Sequence, residues 1–424
     1  MENEVSDMKE IINLQLDKFN NVQGLMRFLN VESLYKTHDK QQGNKATGID
    51  KVTKEKYSLN IMSKLNDLVN SMKKKSYKPK AVRRVLIPKP NGKQRPLGIP
   101  SYEDKIVQAK MAEILNIIFE RYFKDFSYGF RPNRDCHQAI DKIDKTIMYE
   151  NINWIVEADI KGFFDHVDHD ILVRMLEVVI KDKDFIFLIK KFLKAGYMYN
   201  DEFHDTDEGT PQGGIISPIL ANLYLHVALD NWFDNELKKL CKGKAFMVRY
   251  ADDFVCMFQY ENDAKMFYQM LVNRFAQFKL EVEPTKTKIF PFGRNTNEKQ
   301  SFDFLGFTIM NGKTRDGYYK VDYCTSKKKS KLKFIALLTY IKDNRTKKPR
   351  ELIKQINKKL VGLYNYYGIS GNYDWLLKLY NFVVKMIRKW LNRRSQKGKM
   401  TWDRYNNLKE HVPIVKPKIS YRLW

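Results

Sequence analysis

In the segment Phe246-Met247-Val248-Arg249-Tyr250-Ala251-Asp252-Asp253-Phe254-Val255-Cys256-Met257-Phe258, two adjacent carboxylates interrupt an otherwise apolar, strand-forming run. Residues of high β-propensity on both sides predict a buried hairpin with the acids at its tight turn. Two ionised groups placed there repel one another and are poorly solvated, a cost that divalent cations relieve. Two metal ions about 4 Å apart, held by carboxylates, activate an attacking hydroxyl and stabilise a leaving oxygen in polymerases and nucleases. Aspartate is also a common turn residue, so the pair by itself leaves a plain hairpin open.

A third acid narrows the choice. In Trp154-Ile155-Val156-Glu157-Ala158-Asp159-Ile160-Lys161-Gly162-Phe163-Phe164-Asp165, apolar positions lead into Asp159, and Gly162 lets the backbone approach a ligand closely. The pattern predicts a strand ending in a carboxylate. If that strand lies beside the hairpin, Asp159 and Asp252 face one another and can bridge two Mg²⁺ ions, with Asp253 assisting. Oxygen-only ligation suits Mg²⁺, which keeps waters and substrate phosphates in its shell, with Mn²⁺ as the expected substitute. Among the neighbouring acids, Asp170 reads as the N-cap of the helix that follows, and Asp165 and Asp168 as loop acids.

The chain carries a formal net charge of +26 that is unevenly placed, with only +4 in the first 305 residues (47 Lys and Arg against 43 Asp and Glu). Residues 306–424 hold 29 Lys and Arg against 7 Asp and Glu. Such a surface binds phosphate backbones through counterion release, and the interleaved aromatics favour nucleic acid over an acidic membrane. A second basic island, residues 73–95, holds ten Lys and Arg and no acid. Within it, Val82 to Pro100 reads as two short strands joined by a Pro-Asn-Gly turn, a hairpin able to hold Lys89 and Arg95 over a triphosphate or simply to touch RNA. The loop Gly209-Thr210-Pro211-Gln212-Gly213-Gly214 is constrained by its glycines and proline, which would fix Gln212, and Ser217-Pro218 can cap the apolar helix that follows. A plain surface loop is the simpler alternative.

At 424 residues the chain has room for two or three domains. No stretch of about 18 uninterrupted apolar residues suggests a membrane span, and the acidic N-terminus has no basic-then-apolar leader. Cys136, Cys241, Cys256 and Cys324 are widely separated, so neither a zinc site nor disulfides are expected, which fits a cytoplasmic protein.

The order of these pieces closely resembles the successive motifs of reverse transcriptases: basic hairpin, strand with Asp159, Gly-Thr-Pro-Gln-Gly-Gly loop, Tyr-Ala-Asp-Asp hairpin, then Leu280 to Lys288 and Phe302-Asp303-Phe304-Leu305-Gly306-Phe307. Asn44 to Asp50, Phe126-Ser127-Tyr128-Gly129-Phe130-Arg131-Pro132-Asn133-Arg134, Leu363 to Gly368 and Trp390 to Ser395 resemble, more narrowly, the bacterial group II intron-encoded reverse transcriptases and maturases. The likeness covers about residues 40–415.

The resemblance implies an α+β right-hand polymerase of fingers, palm and thumb, with a mixed, largely antiparallel palm sheet and a helical C-terminal thumb. Residues 1–78 would be a helical N-terminal extension contacting template or RNA, with one helical stretch from Val52 to Lys75. Residues 79–310 would be fingers and palm, and 311–424 the thumb or maturase X domain. The implied activity is RNA-directed DNA synthesis, with Asp159, Asp252 and Asp253 as catalytic metal ligands and the Ile160 carbonyl as a further ligand. Lys89, Arg95 and the Gly162 and Phe163 amides would grip the triphosphate. Phe164 would be the steric gate against ribonucleotides, Gln212 would sit beside the primer end, and Lys286 would meet the pyrophosphate. Arg83, Arg84, Arg131, Lys378, Lys385, Arg388, Arg393 and Arg394 are the expected RNA contacts. The expected partners are an RNA template, a DNA or RNA primer, deoxynucleotides and structured group II intron RNA, in a bacterial cytoplasm and with no membrane. The family also implies a maturase role in splicing, and no nuclease module is expected. Two rivals are a domesticated relative making complementary DNA in antiviral defence or repair, and a non-enzymatic splicing cofactor. Intact acids and gate argue against the second.

Overall fold

Strands follow the β-branched and aromatic runs of the sequence. The computed structural model describes residues 2–88, 92, 94–210, 213–296, 300–394 and 400–423. Its strands are β1 (Val82–Pro88), β2 (Gln94–Ile99), β3 (Trp154–Ala158), β4 (Tyr197–Tyr199), β5 (Glu202–His204), β6 (Ala245–Tyr250), β7 (Asp253–Phe258), β8 (Lys288–Pro291), β9 (Ser301–Phe304), β10 (Phe307–Lys313) and β11 (Tyr319–Thr325). They form three sheets, in the orders β2-β1-β4-β5, β6-β7-β3-β8 and β11-β10-β9. Helices account for most of the remainder, so the chain mixes helix and sheet as an α+β protein does.

The basic hairpin forms as its pattern predicts. β1 and β2 pair antiparallel from Arg83↔Ile99 to Pro88↔Gln94, and β1 then runs parallel to β4. Lys89, at its tip, lies outside the described residues, as does Gln212. The expected helix from Val52 to Lys75 is instead two, Lys54–Ser58 and Ile61–Lys73. Asn60 separates them with φ 58°, a left-handed conformation that asparagine adopts more readily than most residues.

The chain divides into two compact units. The first comprises Met1–Asp135, Val156–Cys256 and Asn262–Lys288. Its central helix, Tyr102–Phe119, is buried nearly all round, with Ile106, Val107, Met111, Leu115 and Ile118 in the core. A helix apolar on every side has to be enclosed by others.

The second unit comprises Cys136–Ile155, Met257–Glu261 and Ile289–Trp424. The helix Tyr373–Asn392 buries Leu376, Leu379, Val383, Ile387 and Leu391 on one stripe, while Lys378, Lys385, Lys389 and Arg393 face solvent. Tyr380 and Trp390, expected on the apolar face, are only half-buried at its margin. No described helix is long and apolar enough to cross a membrane.

In this second unit the Tyr323 hydroxyl donates to buried Asp144 at 2.9 Å. Burial pushes the Asp144 carboxyl up from 3.8 to about 6. A raised carboxyl pKa means that the folded state prefers the protonated form. The associated stability is therefore full below pH 3.8 and is lost as pH rises through 6. We expect the protein to lose roughly 1 kcal/mol more between pH 5 and pH 7.5 than Asp144→Asn does. Urea denaturation of both proteins at the two pH values checks this, and identical pH slopes would refute it.

Candidate active site

β7 lies between β6 and β3 in its sheet. The Asn153 amide, just before β3, donates to the Phe258 carbonyl at the end of β7 at 3.0 Å. The far end of β3 therefore meets the start of β7, and Asp159 arrives beside the turn that carries Asp252 and Asp253. The electrostatics agree. The Asp252 carboxyl is held above the ordinary carboxylate range, chiefly by burial and further by the charge of Asp159, while Arg95 and Arg249 pull it down. Asp253 opens β7 with an exposed side chain. Lys286 pairs with Asp159 and also feels the charge of Asp253, so an ammonium stands against the acids.

Residues 159–161 are tied to 281–283 by Lys161 N–H donating to Glu281 O at 2.9 Å and Glu283 N–H donating to Asp159 O at 2.8 Å. Ile160 and Val282 thus form a bridge of the non-hydrogen-bonded type, which turns the Ile160 N–H and C=O away from the 281–283 segment. Among the described residues no three Asp, Glu, His or Cys side chains form a ready-made metal cage. Mg²⁺ does not require one, since it is commonly held by one or two carboxylates with waters and substrate phosphates completing its shell. An all-oxygen set with two mutually repelling carboxylates, one of them largely desolvated, fits that ion.

The turn after Asp159 depends on Gly162, at φ 55°. A Cβ there would stand 3.2 Å from the His166 ring. The turn presents Phe164, which lines an open cleft of about 560 Å³ together with Arg84, Pro96, Tyr197 and Thr210. The glycine-rich loop is fastened beneath it. Gly209 N–H donates to Val167 O and Thr210 N–H to Phe164 O, both at 2.8 Å, and His169 Nε2 bonds Gly209 O at 2.6 Å. Gly213 lies against β2, where a Cβ would come within 2.4 Å of the Gly98 carbonyl. The residues on either side of the Pro211-Gln212 pair, which lies outside the described residues, are thereby anchored to the Phe164 turn and to the basic hairpin.

Two sequence expectations about capping are corrected. Asp168, not Asp170, caps the helix His169–Val179, accepting from Ile171 N–H at 2.8 Å; the helix begins two residues too early for Asp170 to do so. Ser217 is the first residue of the helix Ser217–Leu225 and not its cap, with Pro218 in the first turn.

The residues that sequence reasoning missed are those holding the turn that carries Asp252 and Asp253. Arg249 and Asp230 are fully buried. Arg249 Nε donates to Asp230 Oδ1 at 2.7 Å, and Nη2 donates to Asp230 Oδ2. Its Nη1 donates at 3.0 Å both to Asn222 Oδ1 and to the carbonyl of Ala251, which sits at φ 58° just before Asp252. Asn222 Nδ2 donates in turn to Gly129 O at 2.7 Å. A Cβ on Gly129 would stand 2.3 Å from the Ala251 nitrogen, so only glycine allows this approach. Asn222 and Asp230 are eight residues apart, which on a regular α-helix leaves them about 80° out of line. The π turn His226–Asp230 takes up one extra residue and brings them to within about 20°.

The expected RNA contacts divide. Arg131 is buried, with its guanidinium on Glu120 and on the carbonyls of Lys124 and Ser127, so it acts within the fold. Arg83 donates from Nε and Nη2 to Thr47 O at 3.0 and 2.8 Å. Arg84 lies over the Tyr197 ring at 3.3 Å from its centroid. Half-buried Arg388 stacks on Trp402 at 4.1 Å, and half-buried Arg394 bonds the Arg345 carbonyl. Lys378, Lys385 and Arg393 are exposed.

Removing one partner of the buried pair strands a charge, so Arg249→Leu should cost about 3–5 kcal/mol. The double variant Arg249→Leu/Asp230→Leu should cost less than that single change. Denaturant midpoints of the single and double variants test the coupling, and additive losses would show that the two groups act independently.

Residues 87–309 match the family model described as reverse transcriptase (RNA-dependent DNA polymerase), and residues 335–408 match the group II intron, maturase-specific domain. The chain is 31% identical to the group II intron-encoded protein LtrA of Lactococcus lactis subsp. cremoris, over 74% of this chain and 65% of that protein's length. It is 33% identical to protein YkfC of Escherichia coli over 70% of this chain and 84% of that one, and 37% identical to a putative COX1/OXI3 intron 1 protein of Saccharomyces cerevisiae over 56% and 29%. The chain thus spans a little under two thirds of the length of LtrA. With both domains matched in order, and with the paired acids lying inside the first, the chain belongs to the group II intron-encoded reverse transcriptase and maturase family.

Proposed function

We propose that the chain is an RNA-directed DNA polymerase that also binds structured group II intron RNA as a maturase. What carries the reading is the pairing of Asp159 with the Asp252-Asp253 turn, within the stretch that matches the reverse transcriptase model. Asp159, Asp252, Asp253 and the Ile160 carbonyl would hold two Mg²⁺ ions. When bound, Mg²⁺ supplies Lewis-acid charge at the attacking and leaving oxygens.

The chain's own residues do the positioning. Arg95 and Lys89 would fork onto the triphosphate, met from the other side by the Gly162 and Phe163 amides. Phe164, with Thr210 N–H fastened to its carbonyl, offers a bulky ring beneath the sugar that excludes a 2′-hydroxyl. Gln212 would lie beside the primer end, and Lys286 beside the departing pyrophosphate. Substrates are an RNA template, a DNA or RNA primer and deoxynucleotides. In the right-hand layout, residues 1–78 form the N-terminal extension, 79–310 fingers and palm, and 311–424 the thumb. Exposed Lys378, Lys385 and Arg393, next to or within the maturase-domain match, would bind RNA phosphates.

Primer extension of oligo(dT) on poly(rA) with Mg²⁺ tests the reading. Asp252→Asn should lower extension by roughly a hundredfold or more while RNA affinity changes by no more than about twofold. An unaltered chain that extends no primer, or a variant that extends normally, sinks the proposal. Phe164→Ala should admit ribonucleotides, measured as the ratio of kcat/KM for UTP and dTTP. An unchanged ratio removes the gate assignment.

A further inference from the structure

Away from the acids, the first unit carries a groove of about 560 Å³ between the helix Lys183–Leu193, the segment after residue 77 and the β4-β5 hairpin. Two aromatic rings stand on it unusually open, Phe187 at 43% and Phe203 at 55% exposure. The Phe203 ring lies against Gly196, where a Cβ would come within 2.6 Å of it. Lys78, Lys190, Lys191 and Lys194 line the same groove, and no carboxylate does. The nearby acids lie outside the lining: Glu177 is 3.5 Å from Lys190 in an exposed pair, and Asp184 pairs with Lys75. Lys191 holds the walls together, donating to the carbonyls of Lys75 and Tyr77 at 2.7 and 2.6 Å, with its ammonium 4.6 Å from the Phe187 ring centre. Burial and the charge of Lys78 hold that ammonium below the ordinary lysine range.

We propose that this groove docks a single-stranded segment of RNA, with bases stacking on Phe187 and Phe203 and phosphates meeting Lys78, Lys190 and Lys194. The proposal rests on the RNA-dependent reading above and deepens it by adding an RNA surface apart from the polymerase centre and the basic thumb. A polyanion complements the four lysines that line the groove, and exposed rings gain from base faces that only unpaired nucleotides offer. An A-form duplex hides those faces and would leave both rings without partners. The groove would therefore hold a loop or tail of the RNA and not its paired stems.

The test uses the full chain and a 5-iodouridine-substituted single-stranded RNA. On irradiation, cross-links in the unaltered protein should map to Phe187 or Phe203. Lys190→Glu/Lys194→Glu should weaken binding of the same RNA roughly tenfold and lower the salt slope of log K by about 1.4, two single-strand phosphate contacts. Phe187→Ala/Phe203→Ala should weaken it roughly tenfold at an unchanged salt slope. Both variants should extend a short primer-template pair at the parental rate. Cross-links found only elsewhere overturn the proposal, and do so even if a variant fails to fold. It is equally overturned if both variants bind RNA like the parent, or if they lose binding to anionic phospholipid vesicles while keeping RNA. Should the parent extend no primer yet cross-link at the rings, the groove stands and the polymerase reading falls.

Discussion

The Asp252-Asp253 turn is held by an ion pair with no access to water. Arg249 and Asp230 are both fully enclosed, and a charge so placed is tolerable only with its partner in place. The guanidinium has further donors, and these reach Asn222 and the Ala251 carbonyl. One side chain therefore fastens the helix that begins at Ser217 to the backbone immediately before Asp252. The segment Ser127-Tyr128-Gly129 joins the same frame through the Tyr128 amide, which donates to Arg249 O at 2.8 Å, and through the Gly129 carbonyl. A turn meant to carry two adjacent acids is strained by their repulsion, and this frame keeps it in one geometry.

The acids lie in a part of the chain whose charge is close to balanced, since most of the net +26 falls after residue 305. Around them stand cations that feel them, Lys286 on Asp159 and Arg95 within range of Asp252. Such cations attract polyanions, while the carboxylates leave the spot itself locally negative. The two scales of charge perform different tasks.

Much of the site was legible because its chemistry demands rare residue patterns. Adjacent aspartates between strands, a strand running into Asp159, and a loop rich in glycine and proline each carry a local signal, and the folded chain brings the first two together. The fastening of the loop to Phe164 and β2 was not legible, because backbone hydrogen bonds to Val167 and Phe164 leave no trace in residue type. Arg131 stands in a basic motif and invites an RNA role, but Glu120 lies eleven residues before it and only the folded chain brings them together. Arg249 passed for an ordinary strand residue. Its partner Asp230 is nineteen residues earlier, on a helix whose π turn breaks the periodicity by which its face would be read. Asp168 and Asp170 are two positions apart, and a difference that small in where a helix starts decides which one caps it.

The π turn at His226–Asp230 has a consequence for how this stretch can vary. One residue more than a regular helix needs is what rotates Asp230 under Arg249 while Asn222 stays in register. From Asn222 to Asp230 every residue is buried except half-buried Val227, so the side chains there are packed as tightly as the length is set. A deletion or insertion of a single residue between Asn222 and Asp230 would swing one of the two by about 100°. The segment should therefore keep its length among descendants, the reverse of what a surface loop does.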